Sequence, residues 1–161
     1  MSLVNEEDKI NDVIDISLAP IRKKRFRIDG DDSRILELNT SDLNILARLQ
    51  SAYPKLDTLS KKAAKKLTED VSEEDDIVNS KFPEALAEID KDMRELVDYI
   101  FDSNVSEICA PNGTMYDPYN GQLKYEHIID TLAKLYENNI DNEVRLIKQR
   151  VKKHTKKYTK K

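Results

Sequence analysis

The sequence predicts an α+β fold, mostly α-helical: a small N-terminal antiparallel β hairpin or meander followed by a bundle of three to five helices. Three observations carry that expectation. Apolar residues recur at helical spacing over long stretches, most cleanly at Phe82, Leu86, Ile89, Met93, Leu96 and Ile100. Strict alternation of polar and apolar residues is confined to the region before Asn39. Charged residues make up 36% of the 161, with only 3 Gly and no Trp. That balance suits exposed helical surface and argues against a Gly-rich barrel or a dinucleotide-binding core. The length fits one domain. The expected organisation is a flexible lead-in over 1–11, a single helical domain with its β element first over 12–151, and a basic flexible tail over 152–161.

The elements follow in order. Ile14 to Leu18 alternates and reads as a half-buried strand, broken by Ala19-Pro20. Lys24-Arg25-Phe26-Arg27-Ile28 alternates again, and Asp29-Gly30-Asp31-Asp32 is a turn, because Gly accepts positive φ and Asp caps locally. Arg34 to Leu38 is the partner strand. Asn39-Thr40-Ser41-Asp42 starts a helix, since short side-chain oxygens accept from first-turn amides. Its predicted stripe is Leu43, Leu46, Leu49, Tyr53, Leu56, Leu59, Ala63 and Leu67, with Pro54 predicting a kink or break near Ala52-Tyr53. Val71 to Asp76 is an acidic connector or the exposed start of the next helix. The Phe82–Ile100 stripe then predicts a long helix beginning near Lys81, with Pro83 in its first turn. Val105 to Cys109 is a short apolar segment entering a loop that runs from Ala110 to Gly121. A last helix starts near Lys124 with Tyr125, Ile128, Ile129, Leu132, Leu135, Tyr136 and Ile140 on one stripe. Val144, Ile147 and Val151 continue it past a possible local break over residues 138–142.

The net charge of −4 conceals a bipolar chain. Glu69 to Glu107 holds 14 acids against 3 bases, whereas Arg145 to Lys161 holds 9 bases and no acid. Groups suited to chemistry are sparse. Cys109 and His127 are a conceivable thiolate and base, but nothing specifies a third orienting group, so a small buried Cys and an ordinary His are expected instead. One Cys cannot form an internal disulfide, which makes a reducing cytoplasm the default. The two His and one Cys have no zinc spacing, Asp29, Asp31 and Asp32 lack the remainder of a calcium loop, and no phosphate-binding Gly loop is present. The acidic start is no signal peptide, and no apolar run is long enough to span a membrane. No enzyme activity, metal or cofactor is expected.

Clustered bases raise a nucleic-acid reading. Arg22, Lys23, Lys24, Arg25 and Arg27, with Lys152, Lys153, Lys156 and Lys157 in the tail, are candidate contacts for nucleic acid or an acidic partner. Two plainer readings compete: half of an alternating strand faces water anyway, and the tail either folds back on the acidic helix or serves solubility.

The order of segments carries a likeness. Phe26-Arg27-Ile28-Asp29-Gly30 is followed by Leu38-Asn39-Thr40-Ser41-Asp42-Leu43-Asn44-Ile45-Leu46-Ala47-Arg48-Leu49, then by a long acidic helix ending Leu96-Val97-Asp98-Tyr99-Ile100-Phe101-Asp102. Val105-Ser106-Glu107-Ile108-Cys109, a loop ending Asn120-Gly121 and the aromatic helix start Tyr125-Glu126-His127-Ile128-Ile129 complete it. Over roughly residues 22–140 the chain resembles the tail assembly chaperones of long-tailed bacteriophages and prophages of Gram-positive hosts. The resemblance implies a non-enzymatic protein of the host bacterial cytoplasm, absent from the mature virion, that coats and solubilises the tape-measure protein. It also implies a longer frameshifted form that recruits the tail-tube protein, and self-association is compatible with it. Tyr116, Tyr119 and Tyr125 are candidate partner contacts, with covering of the core as the competing reading for the first two. The tail after Ile140 and the lead-in before Asp12 fall outside the likeness.

Overall fold

A computed structural model describes residues 12–18, 23–69 and 81–159, with side chains described to residue 66 in the first long helix and to residue 152 in the last. The lead-in, Arg22 and the acidic connector lie outside the described residues. The fold is α+β and mostly helical, with the antiparallel hairpin first.

Strand β1 (Lys24–Ile28) pairs antiparallel with β2 (Asp31–Leu38), Ile28 opposite Asp31. Only Asp29 and Gly30 lie between, at φ 53° and 70°. Two consecutive positive φ values give a turn whose twist matches that of the strands it joins. The inner face of β2 delivers Leu36 and Leu38 fully into the core. The strand expected over Ile14–Leu18 does not form: 12–18 has no regular structure, and Val13, Ile14, Ile16 and Leu18 are all exposed. Alternation defines which side of a strand would be buried, but it supplies no neighbouring ladder for the backbone.

Helix α1 (Asn44–Glu69) begins where the sequence indicates. Asp42 Oδ1 accepts from the Asn44 amide at 3.0 Å, and Asn39 Oδ1 accepts from the Ser41 amide at 3.2 Å. Its buried face differs from the expected stripe. Ile45, Ala52 and Ala63 are buried with Leu49, Leu56 and Leu59 packed beside the core, whereas Leu43, Leu46 and Tyr53 are exposed. Steps of three from Leu43 to Leu49 drift off the helical period, while the set from Ile45 keeps it. Of the kink or break expected near Ala52-Tyr53, the break is absent, and α1 runs on through Pro54 as one helix. Pro54 is exposed, so its ring does not have to fit within the packed interior. Its missing amide still removes one helical hydrogen bond. Pro54→Ala is therefore expected to raise stability by about 1–3 kcal/mol, read as a higher urea midpoint at unchanged slope.

Helix α2 (Phe82–Phe101) matches its prediction, with Pro83 in the first turn. Ala85, Ile89, Met93, Leu96, Val97, Ile100 and Phe101 are buried. Asp102 ends it in the left-handed conformation at φ 47°, and the Ser103 amide donates back to the Asp98 carbonyl at 3.3 Å. Helix α3 (Val105–Cys109) is one short turn where only a loop entry was expected. Strands β3 (Pro118–Tyr119) and β4 (Gln122–Leu123) form a minimal hairpin around Asn120 and Gly121.

Helix α4 (Lys124–Thr159) is unbroken through residues 138–142, against expectation. Asn139 is a contact point there. Its Nδ2 donates to Ser41 Oγ at 2.8 Å and to the Thr40 carbonyl at 3.2 Å, and its Oδ1 accepts from Lys24 Nζ at 3.0 Å. The α4 backbone continues to Thr159, into the segment read as a tail. One core joins α1, α2, α4 and β2, with the Phe101 and Tyr136 rings 5.9 Å apart near its centre.

Candidate partner-binding surface

Much of the ionic inventory is spent on backbone. Three arginines each bind carbonyls near a helix C-terminus, where the backbone lacks partners and the helix dipole favours a cation. Arg48 Nε donates to the Ile100 carbonyl at 2.8 Å and its Nη2 pairs with Asp42 at 3.0 Å. Arg34 donates to the carbonyls of Ile108 at 2.8 Å and Cys109 at 3.1 Å. Arg94 reaches Ser106 at 3.1 Å, Ala110 at 2.9 Å and Gly113 at 2.7 Å, while its Nε pairs with Asp90 at 2.8 Å. Asp90 also accepts from the Met115 amide at 2.7 Å. Asp98 accepts from the Ser106 amide at 2.7 Å and hydroxyl at 2.9 Å, closing the start of α3. Asp117 accepts from the Thr114 hydroxyl at 2.7 Å and amide at 3.1 Å, which hold its carboxyl below the ordinary range. The loop from Ala110 to Asp117 is thus fixed by carboxylates and guanidinia. Sequence reasoning missed these roles. The i, i+4 spacing of Asp90 and Arg94 was the one available signal.

Cys109 and His127 do come together, on the wall of one cavity of about 250 Å³ with Arg27, Tyr119, Lys124 and Thr131. No hydrogen bond joins them among the described residues. The Tyr119 ring stacks on His127 with centroids 4.3 Å apart. Burial pushes the Cys109 thiol up to about 11, away from thiolate character. Native protein at pH 8 is accordingly expected to alkylate slowly with iodoacetamide and to react freely once unfolded in urea. The sign for stability follows. The folded state holds this proton more tightly than the unfolded chain, so the contribution from Cys109 is intact below 9 and is lost as pH rises toward 11. Among the described residues, no three His, Cys, Asp or Glu side chains gather to hold a metal ion, and no helix is long and apolar enough to cross a membrane.

The three tyrosines separate. Tyr125 is buried and shares a hydrogen bond with Ser60 at 2.9 Å. Tyr116 is half-buried, edge-on to Tyr125 at 5.5 Å, and burial pushes its phenol up to about 12. Of the three, Tyr119 alone is exposed, with one face of its ring stacked on His127. The basic cluster of β1 is partly occupied locally: Arg25 faces Glu37 across the sheet at 3.7 Å, Arg27 pairs with Asp32 at 2.9 Å, and Lys24 binds Asn139. Lys23 is exposed. Lys152 is exposed on α4, and the side chains of Lys153, Lys156 and Lys157 lie outside the described residues.

Among the described residues, two of the accessible apolar surfaces lie on the long helices. One is a groove of about 470 Å³ between α1 and α2, walled by Pro54, Leu59, Leu96 and Tyr99 with Lys55, Asp92 and Glu95 at its rim. The other is the distal part of α4. Among the residues with described side chains, Ile140 is the last packed against the core, and every residue from 141 to 152 is exposed. Val144 is 39% exposed, Ile147 58% and Val151 58%, so the stripe that buries the first half of the helix continues into solvent. Compared with family models, with curated proteins and with solved structures, the chain matches none.

Proposed function

We propose that this chain is a non-enzymatic tail assembly chaperone of a long-tailed bacteriophage or prophage, which binds the tape-measure protein and keeps it soluble in the host cytoplasm while the tail tube assembles. The observation that carries this reading is the exposed apolar stripe of distal α4, supported by the likeness of segment order over residues 22–140. A tape-measure protein is a very long helix with apolar surface to mask, and an amphipathic helix is a natural cover for it. Each site needs only modest affinity, because many copies act along one rod and the tube must later displace them. The longer frameshifted form would bring the tail-tube protein to the same rod. Co-expression with the neighbouring tape-measure protein tests the reading. The tape-measure protein is expected in the soluble fraction only when this chain is present. Equal insolubility with and without it overturns the proposal.

A further inference from the structure

We infer that residues 13–18 of one copy of this chain add as a strand to the open edge of β1 in a second copy, and that the exchange is reciprocal. The arm supplies half of the argument. Ile14, Ile16 and Leu18 alternate with Asp15 and Ser17, so in an extended chain the three apolar side chains share one face. All three are exposed, Ile14 at 86% and Leu18 at 83%. The sheet supplies the other half. It holds β1 and β2 alone. The far side of β2 is occupied: the Glu37 carbonyl accepts from Ser103 Oγ at 2.8 Å, and Arg34 is held on the carbonyls that end α3. The outer edge of β1 meets no strand among the described residues. An extended segment with one apolar face is what such an edge accepts. The apolar surface on the inner side of β1 is also incompletely covered. Phe26, Ile28 and Leu135 are partly buried, and cavities of about 250 and 210 Å³ lie between β1 and α4, walled by Ile28 with Leu132 and by Phe26 with Leu135.

Register and charge select the occupant. An antiparallel register that sets Ile16 beside Phe26 also sets Ile14 beside Ile28, all on the inner face. The same register puts Asp15 beside Arg27 and Ser17 beside Arg25 on the outer face, so the acid of the arm meets the bases of the strand. Direct pairing of two β1 edges would instead bring Lys23, Lys24, Arg25 and Arg27 against an identical row. The chain's own arm does not take the place, since residues 12–18 have no regular structure. Each copy thus carries one uncovered arm and one unmet edge, and a two-fold exchange satisfies both in a closed pair. The step of six residues from Leu18 to Lys24 reaches up to about 20 Å, so an arm can cross to a neighbouring edge several strand spacings of about 4.8 Å away.

The test uses cysteine pairs in the full chain, with Cys109→Ser as background. Positions 17 and 25 face each other in this register at a separation that a disulfide spans. Both side chains are exposed, so Ser17→Cys and Arg25→Cys leave the fold intact, checked by circular dichroism. Protein with Ser17→Cys alone is mixed with protein with Arg25→Cys alone under a mild oxidant. A disulfide-linked dimer holding one of each is expected, with about tenfold less of it when the first protein also carries Ile16→Asp. Sedimentation of the unsubstituted chain should show a monomer–dimer equilibrium that Ile16→Asp moves to monomer. A chain carrying both cysteines that closes an internal disulfide and no dimer overturns the inference, because the edge then takes its own arm. So does a mixed yield no greater than that of Ser17→Cys with Lys61→Cys, an exposed position on α1 that measures chance collision. A dimer that Ile147→Gln dissolves and Ile16→Asp leaves intact also overturns it, by placing the contact on α4. None of these outcomes depends on whether the chain rescues a tape-measure protein.

Discussion

Phe101→Ala is expected to lower stability by about 3–5 kcal/mol. Phe101 is 2% exposed at the end of α2, and its ring lies against Tyr136 of α4 at an interplanar angle of 37°. The core cluster around it includes Leu36 of β2 and Val105 of α3. Removing the ring leaves a void bounded by rigid elements with little freedom to collapse, so the cavity cost adds to the lost transfer energy. At this chain length, each kcal/mol moves the melting temperature by roughly 2–4 °C, so a fall of about 6–20 °C is expected. Tyr99→Ala, two residues back, is the control. Tyr99 is 46% exposed, with its hydroxyl on Ser51 at 3.1 Å, and its loss should cost about 1 kcal/mol or less. Similar melting temperatures for the two variants would remove Phe101 from the centre of the core.

Arg94→Met should cost about 3 kcal/mol and expose the loop after α3 to proteolysis. The guanidinium serves three carbonyls from Ser106 to Gly113 and one carboxylate, and its side chain is 23% exposed. Methionine keeps much of the apolar stem, so the loss reports the charged fork. Truncation leaves Asp90 without its cation and takes the guanidinium from the carbonyls of Ala110 and Gly113, while the Ser106 carbonyl keeps the Ala110 amide at 2.9 Å. Arg94→Lys should recover only part of the stability, because an ammonium cannot span those acceptors in one plane. Urea unfolding together with limited trypsin digestion measures both consequences. A loss below about 0.5 kcal/mol would mean that the loop holds its shape unaided.

The legible parts of this fold are those whose signal is local. Helix α2 could be read because its apolar steps alternate four and three without interruption, and the β1–β2 turn because Asp29-Gly30 suits consecutive positive φ. The missed parts depended on distant partners. Nothing near Ile14 says that no strand will pair with it. The residues around Asn139 look like a break by propensity, but contacts with Thr40, Ser41 and Lys24, a hundred residues away in sequence, override that preference. The α1 stripe was misphased for a different reason: Leu43 and Leu46 are as apolar as Ile45 and Tyr53 is far larger than Ala52, so residue type gave no ranking and position on the wheel decided burial. At the candidate surface, periodicity revealed Val144, Ile147 and Val151, but their exposure required knowing where the body stops. The arginine contacts were invisible because their acceptors are peptide carbonyls, which every residue possesses.

Because α4 passes without interruption from the packed interior into its outer reach, it acts as a lever arm with no hinge at its root. Asn139 pins it on one side, and Tyr136 anchors it against Phe101 just below. Whatever grips the far end is therefore held at a set bearing and a fixed standoff from the rest of the molecule. A pull on that end would be met first by the Asn139 hydrogen bonds and the packing of Tyr136 on Phe101.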